Sequence, residues 1–537
     1  MSQPYFAELL PLLAERAKHA AISWLGFANV PLRRFLAETF DRPFGQPGAF
    51  LADPTFEATF GWKRAEERME ELAGKLLCPA LVQAMDQPPK ELAADYRFAK
   101  DQFPYRHQLE AWRILTQPEP QSVVVTSGTG SGKTECFMVP ILDRLARLRE
   151  EKGGRLVGVR ALFLYPLNAL INSQRERLRA WTHAFGGDIR FCLYNGNTPE
   201  RPDPAWVQRE NPTEVRDRET LRSSPPPILV TNATMLEYML VRNADAPILQ
   251  HSQGKLEWVV LDEAHTYVGS QAAELALLIR RVLFAFGVTP EEVRFVATSA
   301  TIGDPQGEAG RKLKQFLADV AGIPPERVHL VAGERHIPDL GGREPQSRTP
   351  IDQLEAIDCG RERSAQRFQA LVADRTARRL RDLFVGNPAK PPVARLSEIC
   401  RAIGDDHLPL REQQRNAMRW LDLLSGTRND AGEPLLPLRL HLFHQTLPGL
   451  WACADSRCPH KAGTPLDHDE WPFGLVYLEP RKHCACGSPV YEIVKCAECG
   501  TVHLLAGEYG GKLTHLQPHA ALDEFELEVE PDESDEE

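Results

Sequence analysis

The sequence predicts an α/β protein: a parallel sheet with helices on its faces, helical regions on either side in the chain, and a small cysteine-rich module near the C-terminus. Two observations predict it. From Ser122 onward, short β-branched runs alternate with longer amphipathic stretches, the pattern of βαβ units whose sheet is covered on both faces. Six of the eleven cysteines crowd between Cys453 and Cys499, a density that favours metal over disulfides in a reducing compartment.

A length of 537 residues allows about three or four domains. With 42% hydrophobic and 26% charged residues, the composition excludes a wholly disordered or collagen-like chain. No run approaches the ~18 uninterrupted apolar residues of a membrane helix. The first twenty residues lack a basic segment, apolar run and cleavage site in series. A cytoplasmic chain with no membrane partner is therefore expected. The net charge of −11 is concentrated at the end: Asp523–Glu537 holds ten acidic and no basic residues, leaving the remainder at −1. A near-neutral body does not exclude a basic groove.

Taken in order, residues 1–100 show helical apolar spacing, as in Phe6-Leu9-Leu10-Leu13 and Ala65-Met69-Leu72-Leu76-Leu77, interrupted by Pro43, Pro47 and Pro54. They read as a helical packing or docking region without chemistry. Residues 101–335 carry the strand runs 122–127, 161–166, 191–194, 228–231, 258–263 and 294–299. Between them lie helices near Thr134–Arg149, Asn168–Phe185, Thr234–Val241, Gln271–Phe286 and Arg311–Val320. Residues 336–435 begin rich in Pro and Gly and continue into helices near Ser364–Phe384, Leu396–Ile403 and Arg411–Leu424, either a plain helical insert or a winged-helix module. Residues 436–515 are the cysteine module, and 516–537 an acidic tail or linker, with competition for a basic groove as the functional alternative. Cys78, Cys136, Cys192, Cys359 and Cys400 are scattered singly and read as inert thiols.

In such sheets ligands sit at the carboxyl ends of the strands, which is where the motifs fall. Ser127-Gly128-Thr129-Gly130-Ser131-Gly132-Lys133-Thr134 follows a strand and opens a helix. Its glycines let backbone N–H groups turn toward phosphate oxygens, Lys133 reaches the β- and γ-phosphates, and Thr134 ligates Mg²⁺. Asp262-Glu263-Ala264-His265 ends the apolar strand Trp-Val-Val-Leu. One carboxylate there can hold Mg²⁺ and the other polarise an attacking water. Together they predict an ATP site in a RecA-like P-loop lobe.

Over residues 100–335 the sequence resembles the superfamily 2 DEAD/DEAH-box helicases. Ser127–Thr134 is similar to their motif I, Asp262–His265 matches motif II, and Ser299-Ala300-Thr301 resembles the motif that couples nucleotide to nucleic acid. Tyr105-Arg106-His107-Gln108 resembles the upstream adenine-reading motif, which implies that Gln108 pairs with the base and Tyr105 stacks on it. Pro166, Asn168, Ala169 and Gln174 resemble motif Ia; Gly196 and Thr198 the Tyr-x-Gly-x-Thr form; and Thr231 and Asn232 the Thr-Asn-Pro segment, with Ala233 replacing Pro. The resemblance implies that these loops hold the sugar–phosphate backbone of one strand, gripping without reading sequence. The Tyr-x-Gly-x-Thr form and the His-Gln pair are similar to those of bacterial and archaeal DNA-repair and phage-defence helicases.

Such motors use two RecA-like lobes, the second supplying an arginine finger from Gln-x-x-Gly-Arg-x-x-Arg. Residues 336–537 contain no such segment, so a partner supplying the second lobe is expected. Cys453, Cys458, Cys484, Cys486, Cys496 and Cys499 are the candidate ligands of structural Zn²⁺, with a hairpin at Pro489–Val494 between the last two pairs. Spacing leaves open which four thiols serve, and whether a second ion recruits His460 or His483. The reading is an ATP- and Mg²⁺-dependent motor lobe acting on single-stranded or partly duplex DNA in preference to RNA. Its rival is a non-catalytic, nucleotide-gated scaffold subunit.

Overall fold

The computed structural model describes residues 5–515, apart from 47–48, 129, 203–210, 268, 300–306, 342–347, 358–360, 387–391, 445–446 and 510. Thr129, Thr301, Cys359 and the acidic stretch 516–537 thus lie outside the described residues, as does the side chain of Ala169. The chain forms two compact units. One runs from Phe60 to Asp339, and the other combines the segment up to Thr59 with residues from Leu340 onward.

The first unit is built on eight parallel strands. Their order is Glu214–Val215, Phe191–Leu193, Ile228–Thr231, Ala161–Leu164, Trp258–Leu261, Arg294–Ser299, Ser122–Thr126 and Val328–Ala332. All six runs expected from the sequence are present. Val123 and Val125 enter one hydrophobic cluster with Phe163, Val260 and Val296, whereas Val124 enters another with Leu162, Val259 and Phe295. Successive side chains point to opposite faces, and both faces are covered, which is why the runs are continuously apolar. Among the five helices expected between strands, Asn168–Phe185 is broken into Asn168–Ser173, Arg175–Thr182 and a short 3₁₀ turn.

The expected region 1–100 is divided between the units. Leu81 and Met85, on the helix Pro79–Asp86, share a core with Phe137 and Trp181 of the parallel-sheet unit. Thr55–Ala58 instead forms the middle strand of a three-stranded antiparallel sheet, with Phe56 opposite Ala394 on one side and Leu440 on the other. Residues 336–435 are therefore more than a plain helical insert, because Val393–Arg395 is an edge strand beside their helices. In the same unit the helix Tyr5–Leu25 packs along Leu410–Gly426. The Asp422 carboxylate accepts the N–H groups of Phe6 at 2.6 Å and Ala7 at 3.0 Å, satisfying donors that a helix start leaves unpaired.

The cysteine module is a four-stranded antiparallel sheet in the order Val476–Tyr477, Trp451–Cys453, Val490–Lys495, Val502–Leu505. The hairpin expected at Pro489–Val494 is a single strand instead. It pairs with Trp451–Cys453 on one side and Val502–Leu505 on the other. No described helix is long and apolar enough to cross a membrane.

Candidate functional site

The loops that follow Thr126, Leu164, Leu193, Thr231 and Leu261 emerge at one edge of the parallel sheet, because these strands run in register. Gly130 and Gly132 adopt φ of 73° and 74°, a region that residues with a Cβ avoid. The Ser127 and Ser131 hydroxyls meet at 2.6 Å beneath the loop. Lys133 then opens the helix Lys133–Lys152. Its buried Nζ has no hydrogen-bond partner and stands 3.8 Å from Glu263 Oε1. An unsatisfied ammonium beside a glycine loop at a helix start fits a polyphosphate.

Asp262 and Glu263 arrive from the neighbouring part of the sheet. Glu263 is the one non-glycine residue with positive φ among those described, at 51°, a conformation that costs about 1–3 kcal/mol. That kink turns its carboxylate back toward Lys133. His265 Nδ1 lies 3.3 Å from Glu263 Oε2. Burial holds the Asp262 carboxyl above its usual range, and the Thr298 hydroxyl donates to its Oδ1. Thr298, which the sequence did not single out, is thus the residue of this strand that touches the acidic motif. Ser299 contributes its carbonyl, which accepts the Ser127 N–H at 3.4 Å. The Asp262 carboxylate and the hydroxyl of Thr134, which lines the cleft beside the loop, are hard oxygen donors of the kind Mg²⁺ takes.

A cleft of about 400 Å³ opens beside this loop, lined by Phe103, Tyr105, Gln108, Lys133, Thr134 and Arg177 among others. Here Gln108 is tied at both ends of its amide. Its Oε1 accepts the Tyr105 N–H at 2.9 Å, and its Nε2 donates to Gly132 O at 3.2 Å. Tyr105 stacks on His107, with centroids 5.6 Å apart and planes 10° apart. The buried His107 Nε2 lies 2.8 Å from Ser131 O, and burial pushes the imidazole pKa down. A carbonyl only accepts, so the ring nitrogen donates to it. His107 and Gln108 together brace the phosphate loop from outside, a role that the motif's spacing does not reveal.

The expected nucleic-acid residues separate into two groups. Asn168 is exposed, and its Oδ1 accepts from Asn232 Nδ2 at 2.9 Å; Gly196 is also exposed and Pro166 half-buried. Gln174, Thr198 and Thr231 face inward instead. Thr231 Oγ1 donates to Tyr194 O at 2.7 Å and Thr198 Oγ1 to Leu193 O at 2.9 Å. Gln174 is held between Ser173 and Arg177. Short polar residues at strand ends look alike in sequence whether they grip a ligand or close a turn.

In the cysteine module, ligand atoms of Cys453, Cys458, Cys484 and Cys486 all lie within 4.8 Å of one another. Cys453 and Cys486 sulfurs are 3.6 Å apart, as are those of Cys458 and Cys484. The Ser488 hydroxyl beside Cys486 draws its thiol down to about 6. This donor set fits tetrahedral Zn²⁺. Cys496 and Cys499 do not join it. The six-residue strand Val490–Lys495 begins opposite Cys453 and ends just before Cys496; at ~3.3 Å per residue that is roughly 20 Å. His460 and His483 are not in the cluster either. The scattered Cys78, Cys136, Cys192 and Cys400 are buried.

Residues 105–308 match the DEAD/DEAH box helicase family, and residues 476–537 match a family described as the YjiV N-terminal domain. The chain is 27% identical to Druantia protein DruE of Escherichia coli, over 79% of this chain and 30% of that protein. It is 30% identical to the uncharacterized ATP-dependent helicase YprA of Bacillus subtilis, over 42% of this chain and 27% of that one. It thus spans under a third of the length of these relatives. A crystal structure of DUF1998 helicase MrfA bound to DNA aligns over 52% of this chain and 32% of its own, with 24% identity and a TM-score of 0.34.

Proposed function

We propose, from the match of residues 105–308 to the DEAD/DEAH box helicase family, that the chain is the ATP- and DNA-binding motor lobe of a superfamily 2 helicase or translocase, completed by a second RecA-like lobe from further polypeptide or a partner. The observation that carries this is the 3.8 Å approach of Lys133 Nζ to Glu263 Oε1 across 130 residues of chain. In this reading Lys133 and the N–H groups of the loop bind the phosphates. Thr134 and Asp262 would hold Mg²⁺, which screens the phosphate charge when bound. Glu263 takes a proton from water as its oxygen bonds to the γ-phosphorus and the bond to the β–γ bridging oxygen breaks. His265 keeps that carboxylate in place. The Tyr194–Thr198 form and the His107-Gln108 pair support a setting in DNA repair or anti-phage defence.

The test is ATP turnover by the chain, alone and with a second-lobe polypeptide, with and without single-stranded DNA. Alone, it should turn over very slowly, because residues 336–537 carry no Gln-x-x-Gly-Arg-x-x-Arg segment to supply a finger arginine. A DNA-stimulated rate of about 1–100 s⁻¹ from the isolated chain would reject the dependence on a second lobe.

Strand binding should be mostly electrostatic and fall steeply with salt. Replacing both Asn168 and Asn232 by Ala should weaken single-stranded DNA binding about 5–10-fold, the loss of one or two hydrogen bonds, and leave ATP binding intact. Unchanged DNA affinity would place the groove elsewhere. Thr231→Ala, by contrast, should act through stability, since its hydroxyl is fully buried on Tyr194 O.

A further inference from the structure

Cys496 and Cys499 stand apart from the four-thiol cluster, yet the backbone around them forms a turn like the one that presents Cys484 and Cys486, one residue longer. In the cluster the Cys484 N–H donates to Ser488 O at 2.9 Å and the Gly487 N–H to Cys484 O at 2.9 Å, with Gly487 at φ 88°. At the other end of the strand Val490–Lys495, the Cys496 N–H donates to Thr501 O at 3.0 Å and the Gly500 N–H to Cys496 O at 3.0 Å, with Gly500 at φ 69°. A hydroxyl residue follows the glycine in both turns. Ser488 hydrogen-bonds Cys486, and Thr501 Oγ1 lies 3.0 Å from Cys499 Sγ. Two thiols carried on such a glycine turn are the usual half of a tetrahedral zinc site.

Packing does not account for the second turn. Cys499 is exposed and Cys496 half-buried, so neither thiol belongs to the buried core of the module. Nor is the turn a loose loop. Lys495 Nζ donates to Leu25 O at 2.9 Å, and Gly500 lies so close to Ala28 that an added Cβ would meet the alanine's own at 3.2 Å. Among the described residues no third Cys, His or acidic group joins the pair. A backbone shaped to hold two thiolates, fixed in place and left open on its outer side, lacks two donors for a soft divalent cation.

We propose that Cys496 and Cys499 form half of a second zinc site, whose other two positions are filled by thiolate or imidazole donors from further polypeptide or from a second copy of this chain. The ion then serves as a latch, since neither side holds it fully alone. This assignment stands independently of the helicase reading.

The test is thiol alkylation of the intact chain, mapped by mass spectrometry, with and without added zinc, beside elemental analysis of the parent and of a Cys496→Ser/Cys499→Ser variant at saturating zinc. Zinc should slow labelling of Cys496 and Cys499 several-fold, and the variant should bind less zinc while keeping the ion of the four-thiol cluster. A zinc-dependent dimer that the variant cannot form assigns the missing donors to a second copy. Protected thiols in a monomer mean that the two thiolates hold the ion with solvent in its open positions, which donors from further polypeptide can then fill. Labelling indifferent to zinc, or equal zinc content in parent and variant, overturns the proposal. Because alkylation is read on the unsubstituted chain, a folding defect in the variant cannot mask the result.

Discussion

Glu263→Gln is expected to leave ATP bound to the lobe while lowering turnover of the reconstituted two-lobe enzyme by about 10²–10⁴-fold, the contribution of a positioned general base. The amide is nearly the same size and keeps the strained backbone, but it cannot take a proton from water. Lys133→Ala should act one step earlier. A charged hydrogen bond to phosphate is worth about 1.5–3 kcal/mol, so ATP affinity should fall about 10–100-fold, and turnover with it. Equilibrium binding of a fluorescent ATP analogue, set beside steady-state hydrolysis, separates the two outcomes. Full activity in Glu263→Gln would remove the carboxylate from its assigned role. Unchanged affinity in Lys133→Ala would mean that the ammonium, which lacks a hydrogen-bond partner, does not face the phosphates.

Stripping metal from the four-thiol cluster, by chelation or by Cys453→Ser or Cys484→Ser, should unfold residues 447–515 and leave the parallel-sheet unit folded. The reason is the size of the cores. The module buries only a modest set of apolar side chains around its thiols, among them Leu466, Trp471, Val476, Val490 and Ile493. A domain that small rarely holds together without a staple, and zinc supplies roughly 10 kcal/mol in comparable modules. The parallel sheet, packed on both faces by two large clusters, depends on no ion. Limited proteolysis should therefore cut the metal-free chain within 447–515 and spare 60–339. A protease-resistant module without metal would reject the assignment. Cys496→Ser and Cys499→Ser should leave the module folded, because neither thiol reaches the cluster.

The parts read correctly from sequence were those whose cause is local. Continuous apolar runs such as Trp258–Leu261 declare a doubly covered strand, and the glycine loop before Lys133 declares its own conformation. Val328–Ala332, with His329 inside it and burial on only some positions, lacks that signature and was not legible as the edge strand it is. Thr55–Ala58 was equally hidden, since its partners lie hundreds of residues onward. At the site, residue type indicated the neighbourhood but not the direction of a side chain. Asn168 and Thr231 look equally suited to hold a strand, yet one is exposed and the other is buried, its hydroxyl tied to Tyr194 O at the end of the neighbouring strand. For the cysteines, spacing identified the turns, but only the extended Val490–Lys495 strand decides that two of them cannot share an ion.

The central position of Thr55–Ala58 in its small sheet also sets a schedule. The strand leaves the ribosome well ahead of Val393–Arg395 and Leu438–His441, which flank it and are made more than three hundred residues later. At about 5–20 residues per second, that interval is on the order of tens of seconds. During it the whole parallel-sheet unit, inserted between the two halves of the other, can emerge and fold. Phe56, fully buried in the finished protein, spends that time with both edges of its strand unpaired. Nascent chains of this protein are therefore bound to present a sticky segment around Phe56 to chaperones until the two strands that flank it have been made.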